Sequence, residues 1–146
     1  MKPNSCRVRH DPESGLYGDC LRACVASLLN YSDADLVPHF FNDDCDGETA
    51  RIRLNEWLNE QKLHSFYMFF DGDLPMSDVM NHMKESNPNI YYLLFGKTTK
   101  ENDHVVVAVN DRVVHDPAWL KSPIYEAGST GSWVIMVVVP TTLLNV

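Results

Sequence analysis

The stretch that most constrains this chain is Gly18-Asp19-Cys20-Leu21-Arg22-Ala23-Cys24-Val25-Ala26-Ser27-Leu28-Leu29. Leu21, Val25, Leu28 and Leu29 recur at i, i+4, i+7 and i+8, the stripe of a helix with one face in a core. The spacing predicts a helix from Cys20 to about Asn30, with Asp19 as its N-cap. The Cys20 sulfur then lies at the positive end of the helix dipole, where a thiolate is favoured. Two readings stand side by side. Cys20 is either a nucleophile or a small buried hydrophobe, since free cysteine is among the most buried residue types.

The remaining bounds are simple. A chain of 146 residues is expected to form one domain, residues 1–146, with a sizeable core. The formal net charge of -8, with no Lys/Arg cluster, argues against nucleic acid or an anionic membrane as partner. Met1 to His10 holds no apolar run, so no signal peptide is expected. The longest apolar run, Trp133 to Val139, has strand length and falls far short of the roughly 20 residues that span a bilayer. Cys6, Cys20, Cys24 and Cys45 are then expected as reduced thiols of a cytoplasmic chain. Cys20 and Cys24 are one helical turn apart, but without CxxC or HxxxH spacing the sequence calls for no metal and no cofactor.

Along the chain, residues 1–16 read as polar and turn-rich, lying over the surface and leading into the first helix. Ser32-Asp33-Ala34-Asp35 has capping-box spacing and predicts one helical turn before Pro38. Asn42 to Gly47 is an acidic loop, read as a solvated turn because its oxygens lack the order of a calcium loop. Thr49 is expected to cap a second helix through about Lys62 that buries Ile52, Trp57 and Leu58. Leu63 to Phe70 is apolar on both alternating faces and predicts an interior strand. Asp73 is expected to cap a third helix, with Pro75 in its first turn and Leu74, Val79, Met80 and Met83 inward. Four β segments follow: Ile90–Phe95, His104–Val109, Arg112–Asp116 and Ser132–Val139. Helices first and consecutive strands later give an α+β domain, N-terminal helices packed on a C-terminal antiparallel sheet.

A cysteine nucleophile needs a base and a group that orients the base. His10, His39, His64 and His82 read as surface or structural histidines. His104 heads an otherwise apolar strand, Val105-Val106-Val107-Ala108-Val109, where a polar ring is unexpected unless it faces a site. His115 and Asp116 end the next strand, just before Pro117. Register decides which of the two joins His104. A two-residue loop at Asn110-Asp111 puts His115 on the His104 face; a three-residue loop through Arg112 puts Asp116 there instead. Cys24 lies a turn deeper in the helix and reads as packed, and Trp119 reads as core.

The helix motif YGDCLRACVASLL, followed by DHVVVAVNDRVVHDPA, resembles the papain-like cysteine peptidases, closest to the branch that processes double-glycine bacteriocin leaders. The resemblance rests on about 30 residues, as an estimate over the two motifs. It implies a papain-like fold, Cys20 as nucleophile, His104 as base, Asp116 as orienting carboxylate, and no cofactor. The family's oxyanion glutamine, six residues before the cysteine, is Ser14 here. The oxyanion donors are therefore sought at the Cys20 N–H and at Ser14, Tyr17 or a displaced Asn4. The expected activity is hydrolysis of a peptide, isopeptide or related amide in a peptide or protein substrate. Two alternatives share the scaffold: a catalytically weak module that binds a protein or peptide, such as a phage or bacterial inhibitor, and a transglutaminase- or acyltransferase-like enzyme.

Overall fold

The computed structural model describes residues 1–100, 102–120 and 123–141. Helix α1 spans Cys20–Leu28 and starts where the apolar period starts. It closes at Asn30, whose left-handed backbone (φ 63°) is a conformation asparagine tolerates. Its buried face runs through Leu21, Cys24 and Val25, while Leu28 and Leu29 are only partly covered. A single 3-10 turn at Ala34–Leu36 follows, and its cap is Asp33, which accepts the Asp35 N–H at 2.9 Å, rather than Ser32.

Helix α2 spans Gly47–Glu60 and starts two residues before the expected Thr49. The cap is Asp46, whose carboxylate accepts the Thr49 N–H at 2.8 Å. That start buries the stripe Ala50, Leu54 and Leu58; Ile52 is exposed and Trp57 half-buried. Helix α3 spans Met76–Ser86 with Pro75, not Asp73, at the N-cap position. It buries Val79, Met80 and Met83 as expected. Leu74 is exposed at its edge, and its carbonyl accepts the Trp133 indole N–H at 2.9 Å.

The strands are β1 Leu63–Asp71, β2 Tyr91–Thr98, β3 Asp103–Val109, β4 Arg112–His115, β5 Ile124–Glu126 and β6 Ser132–Pro140. All pairings are antiparallel, in the order β1-β6-β2-β3-β4, with the three-residue β5 attached to β2. The domain is thus α+β, with a six-stranded antiparallel sheet. Two expectations are corrected. β1 is an edge strand rather than an interior one: the last strand, β6, inserts between β1 and β2. Phe66 and Phe69 accordingly stay exposed. Residues 1–16 are not all surface, since Asn4 and Cys6 are buried.

The sheet divides two cores. Leu93, Val105, Val107 and Met136 pack with α1 and α2 on one face. Tyr92, Leu94, Val106, Ala108, Trp133 and Ile135 pack with α3 on the other. Among the described residues, no helix is long and apolar enough to cross a membrane.

Candidate active site

The N-terminal strap sets the first half of the site. The Lys2 N–H donates to the Ser27 carbonyl at 2.9 Å and the Asn4 N–H to the Ser27 hydroxyl at 2.8 Å, so the strap lies along α1. The Cys6 N–H then donates to the Pro117 carbonyl at 2.8 Å. The Arg7 and Val8 N–H groups end on the buried Asp19 carboxylate, at 2.9 Å and 3.0 Å. Asp19 occupies the N-cap position of α1 but caps nothing with its side chain. Its carboxylate ties the strap to the helix instead and accepts Arg22 Nη2–H at 2.7 Å. This arrangement brings two thiols together: Cys6 Sγ lies 3.1 Å from Cys20 Sγ.

The second half comes from the β3–β4 hairpin. The loop is the two-residue one, Val109 pairing with Arg112 across Asn110-Asp111. By loop length alone this would send Asp116 away from His104. The ladder shifts register, however: Ala108 faces Val113 and Val107 faces His115, so Val114 is an extra residue, a β-bulge. Val114 and His115 both turn toward the α1 side, where His115 Nε2 bonds the Asn4 carbonyl at 2.7 Å. Asp116 returns to the His104 side, and His104 Nε2 lies 2.8 Å from Asp116 Oδ1. Loop length and bulge together restore the parity that a three-residue loop would have given.

The chemistry of this pair is set by what each atom can do. An ionised carboxylate only accepts, so in the neutral ring Nε2 carries the hydrogen given to Asp116 and Nδ1 keeps a lone pair. The Ala118 N–H donates to the same Asp116 oxygen at 3.0 Å and fixes the carboxylate. The side chain of His104 is 8% exposed. Asp116 also borders a small apolar cavity of about 260 Å³ with Val106, Val113 and Ile124. A pair so shielded from water interacts more strongly than one on the surface.

Both halves face one open cleft of about 1610 Å³ that includes Cys6, Cys20, His104 and Val105. Gly96 pairs directly with His104 across the β2–β3 ladder. A Cβ at Gly96 would collide with Ile124 and Trp133, so the backbone alone fits beside the histidine. Among the described residues, the hydrogen bond made by Cys20 Sγ is the one with Cys6, not one with His104. The Cys6 thiol is held protonated, its pKa pushed well up first by the hydrogen bond with Cys20 and then by burial, with His104 acting the other way. Cys24, one turn along, is fully buried, donates to the Val105 carbonyl at 3.4 Å and has its pKa pushed up by burial.

The sequence-derived residues divide clearly. Cys20, His104 and Tyr17 line the cleft, and Asp116 is bonded to His104. Ser14 does not reach it: it sits exposed in the 3-10 turn Pro12–Ser14. Asn4 is also out of place, with its amide spent on the Lys2 and Tyr31 carbonyls at 3.2 Å and 3.0 Å. Trp119 is not core but 59% exposed on the cleft wall. Cys6 and His10 were missed. His10 lines the cleft beside Cys20, and its Nδ1 accepts the Gly18 N–H at 3.1 Å, which leaves Nε2–H as a donor in the neutral ring. The signal that could have found Cys6 is its sulfur chemistry, which a polar, turn-rich setting concealed. Among the described residues, no three His, Cys, Asp or Glu side chains converge as a metal site. No family model, curated protein or solved structure matches the chain.

Proposed function

We propose that this chain is a papain-like cysteine hydrolase that attacks a peptide, isopeptide or related amide with Cys20. The observation that carries the reading is the 2.8 Å His104–Asp116 hydrogen bond on the cleft that also holds Cys20 at the start of α1. In this reading His104 Nδ1 takes the Cys20 proton and the thiolate attacks the substrate carbonyl. The developing oxyanion is met by the Cys20 N–H, one of the first-turn donors with no acceptor inside the helix. His10 Nε2–H and Tyr17 line the same cleft and are the candidates for a second donor. The imidazolium, oriented by Asp116, then protonates the leaving amine, and water resolves the acyl-enzyme.

The test uses an activated ester such as p-nitrophenyl acetate, followed by mass spectrometry of the protein. The expected result is acylation at Cys20 near neutral pH, slowed by His104→Ala and abolished by Cys20→Ala in a protein that still unfolds cooperatively. Slow, uniform labelling of all four thiols would sink the reading. A binding module is favoured by one feature: Phe69, Trp119 and Leu120 stand exposed along the cleft, 59% to 68% accessible. On that reading Cys20→Ala leaves peptide binding intact and the ester is not turned over. Acyl transfer would appear as an amide product when a primary amine is added to the same assay.

A further inference from the structure

We propose that Cys6 is the resolving thiol for Cys20, and that the pair is a site of reversible oxidation to a Cys6–Cys20 disulfide. Three observations carry the proposal. The two sulfurs lie 3.1 Å apart, so about 1 Å separates them from disulfide bonding distance. The strap is fixed at Cys6 itself and at the two residues that follow it. The Cys6 N–H is bonded to Pro117, at the end of the β3–β4 hairpin, and the Arg7 and Val8 N–H groups are bonded to Asp19, next to Cys20. The backbone thus holds Cys6 against the start of α1. Finally, access differs between the two sulfurs. Cys20 is half-buried on the cleft wall, whereas Cys6 is 6% exposed.

That asymmetry sets the order of chemistry. Hydrogen peroxide entering the cleft meets Cys20 first. The Cys20 thiolate attacks the peroxide oxygen, the O–O bond breaks, and hydroxide leaves to become water, so Cys20 is now a sulfenic acid. The neighbouring Cys6 sulfur attacks the Cys20 sulfur, the S–O bond breaks, and the Cys6 proton leaves with the hydroxyl as a second water. Two thiols and one peroxide have become one disulfide and two waters. A small dithiol reverses the bond by exchange from the cleft, at the more accessible Cys20 side. Cys24 and Cys45 are placed elsewhere, bonded to the Val105 and Phe40 carbonyls. The meaning of the bond as an off-switch rests on Cys20 being the nucleophile proposed above; the bond itself does not.

The experiment treats the reduced protein with hydrogen peroxide and maps the thiols by mass spectrometry, with no substrate present. The expected result is the loss of two of the four free thiols, a cross-linked peptide joining Cys6 to Cys20, and full recovery of both thiols with dithiothreitol. In Cys6→Ser, and in Cys6→Ala as a second variant, Cys20 is expected to proceed to sulfinic and sulfonic acids that dithiothreitol does not reverse. Absence of the cross-linked peptide in the parent protein, or over-oxidation of Cys20 at the same rate with and without Cys6, would overturn the proposal. Because the readout is the bond rather than turnover, failure here leaves the hydrolase reading to its own ester test.

Discussion

At the scale of single residues, Asp19 shows how far a side chain can depart from the role its position suggests. It stands one residue before α1, yet its buried carboxylate binds Arg7 N–H, Val8 N–H and the Arg22 guanidinium instead of capping the helix. The Arg22 side chain is only 12% exposed, so truncating Asp19 leaves a poorly hydrated cation with the longer 3.5 Å contact to Asp35 and leaves two backbone donors without an acceptor. Asp19→Ala is therefore expected to lower unfolding stability by about 3–5 kcal/mol, the range for breaking one partner of a buried pair. Asp19→Asn keeps one acceptor oxygen and should lose about 1–3 kcal/mol. Urea titrations of the two variants against the parent check the order. The strap also positions Cys6, so Asp19→Ala should speed alkylation of Cys6 as well; an unchanged alkylation rate in a destabilised protein would mean that the Cys6–Pro117 bond holds the strap alone.

Among the elements, the β3–β4 hairpin sets the geometry of the site, and the extra residue at Val114 offsets the parity of its two-residue loop. Removing Val114 should give a regular ladder in which Val107 still faces His115 and Asp116 still falls beside His104. The expected outcome for the deletion is a folded protein that keeps a downfield imidazole N–H resonance from His104, with some stability lost with the Val114 contact to the α1 core. Loss of that resonance in a folded deletion variant would show that the bulge itself aims Asp116. This hairpin also marks where the sequence was legible. The polar head of β3 and the Asp-Pro after β4 stand out against valine-rich strands, so His104 could be picked and its partner narrowed to His115 or Asp116, the resemblance pointing to Asp116. The route that joins them could not, because no glycine or other special residue marks a bulge at Val114. The same limit applies to β1. Its apolar residues on both faces say that the faces pack, but not which strand lies beside it, and its neighbour β6 comes from the far end of the chain. The helices were read from period, which is local; their caps moved to Asp33, which accepts the Asp35 N–H, and to Asp46, which accepts the Thr49 N–H.

Across the whole molecule, the sheet keeps two cores apart and the site forms where its end lets them meet. Cys20 arrives with α1 from one face, and His104 follows Val106 and Ala108 on the other. Stability of this frame should depend on pH from both sides. Asp33, Asp43, Asp46, Glu48 and Asp111 are held below their ordinary carboxylate values, chiefly by hydrogen bonds from the Asp35 backbone, Arg53, Thr49, Arg51 and Lys84. Their contribution is present above the usual carboxylate range and fades as pH falls through the lowered values; all are solvent-exposed, so the acid limb should be shallow. The alkaline limb is different because it comes from the core. Tyr92 lies in the α3-side core, donates its hydroxyl to the Asn110 carbonyl at 2.8 Å, and has its pKa pushed by burial from 10.0 up to about 12. A raised folded value stabilises the protonated native state fully below the unfolded value, and that stability is lost as pH rises through the folded one. Between the two values Tyr92 alone should remove on the order of 2–3 kcal/mol. Tyr92→Phe gives up the hydrogen bond to Asn110, so it should be slightly less stable than the parent at neutral pH. Its urea midpoint should then fall less steeply than the parent's from neutral to about pH 11. If both proteins lose stability in parallel over that range, the alkaline limb belongs to other buried acids, with Cys24 the first to examine, since its fully buried thiol is also held protonated by the fold.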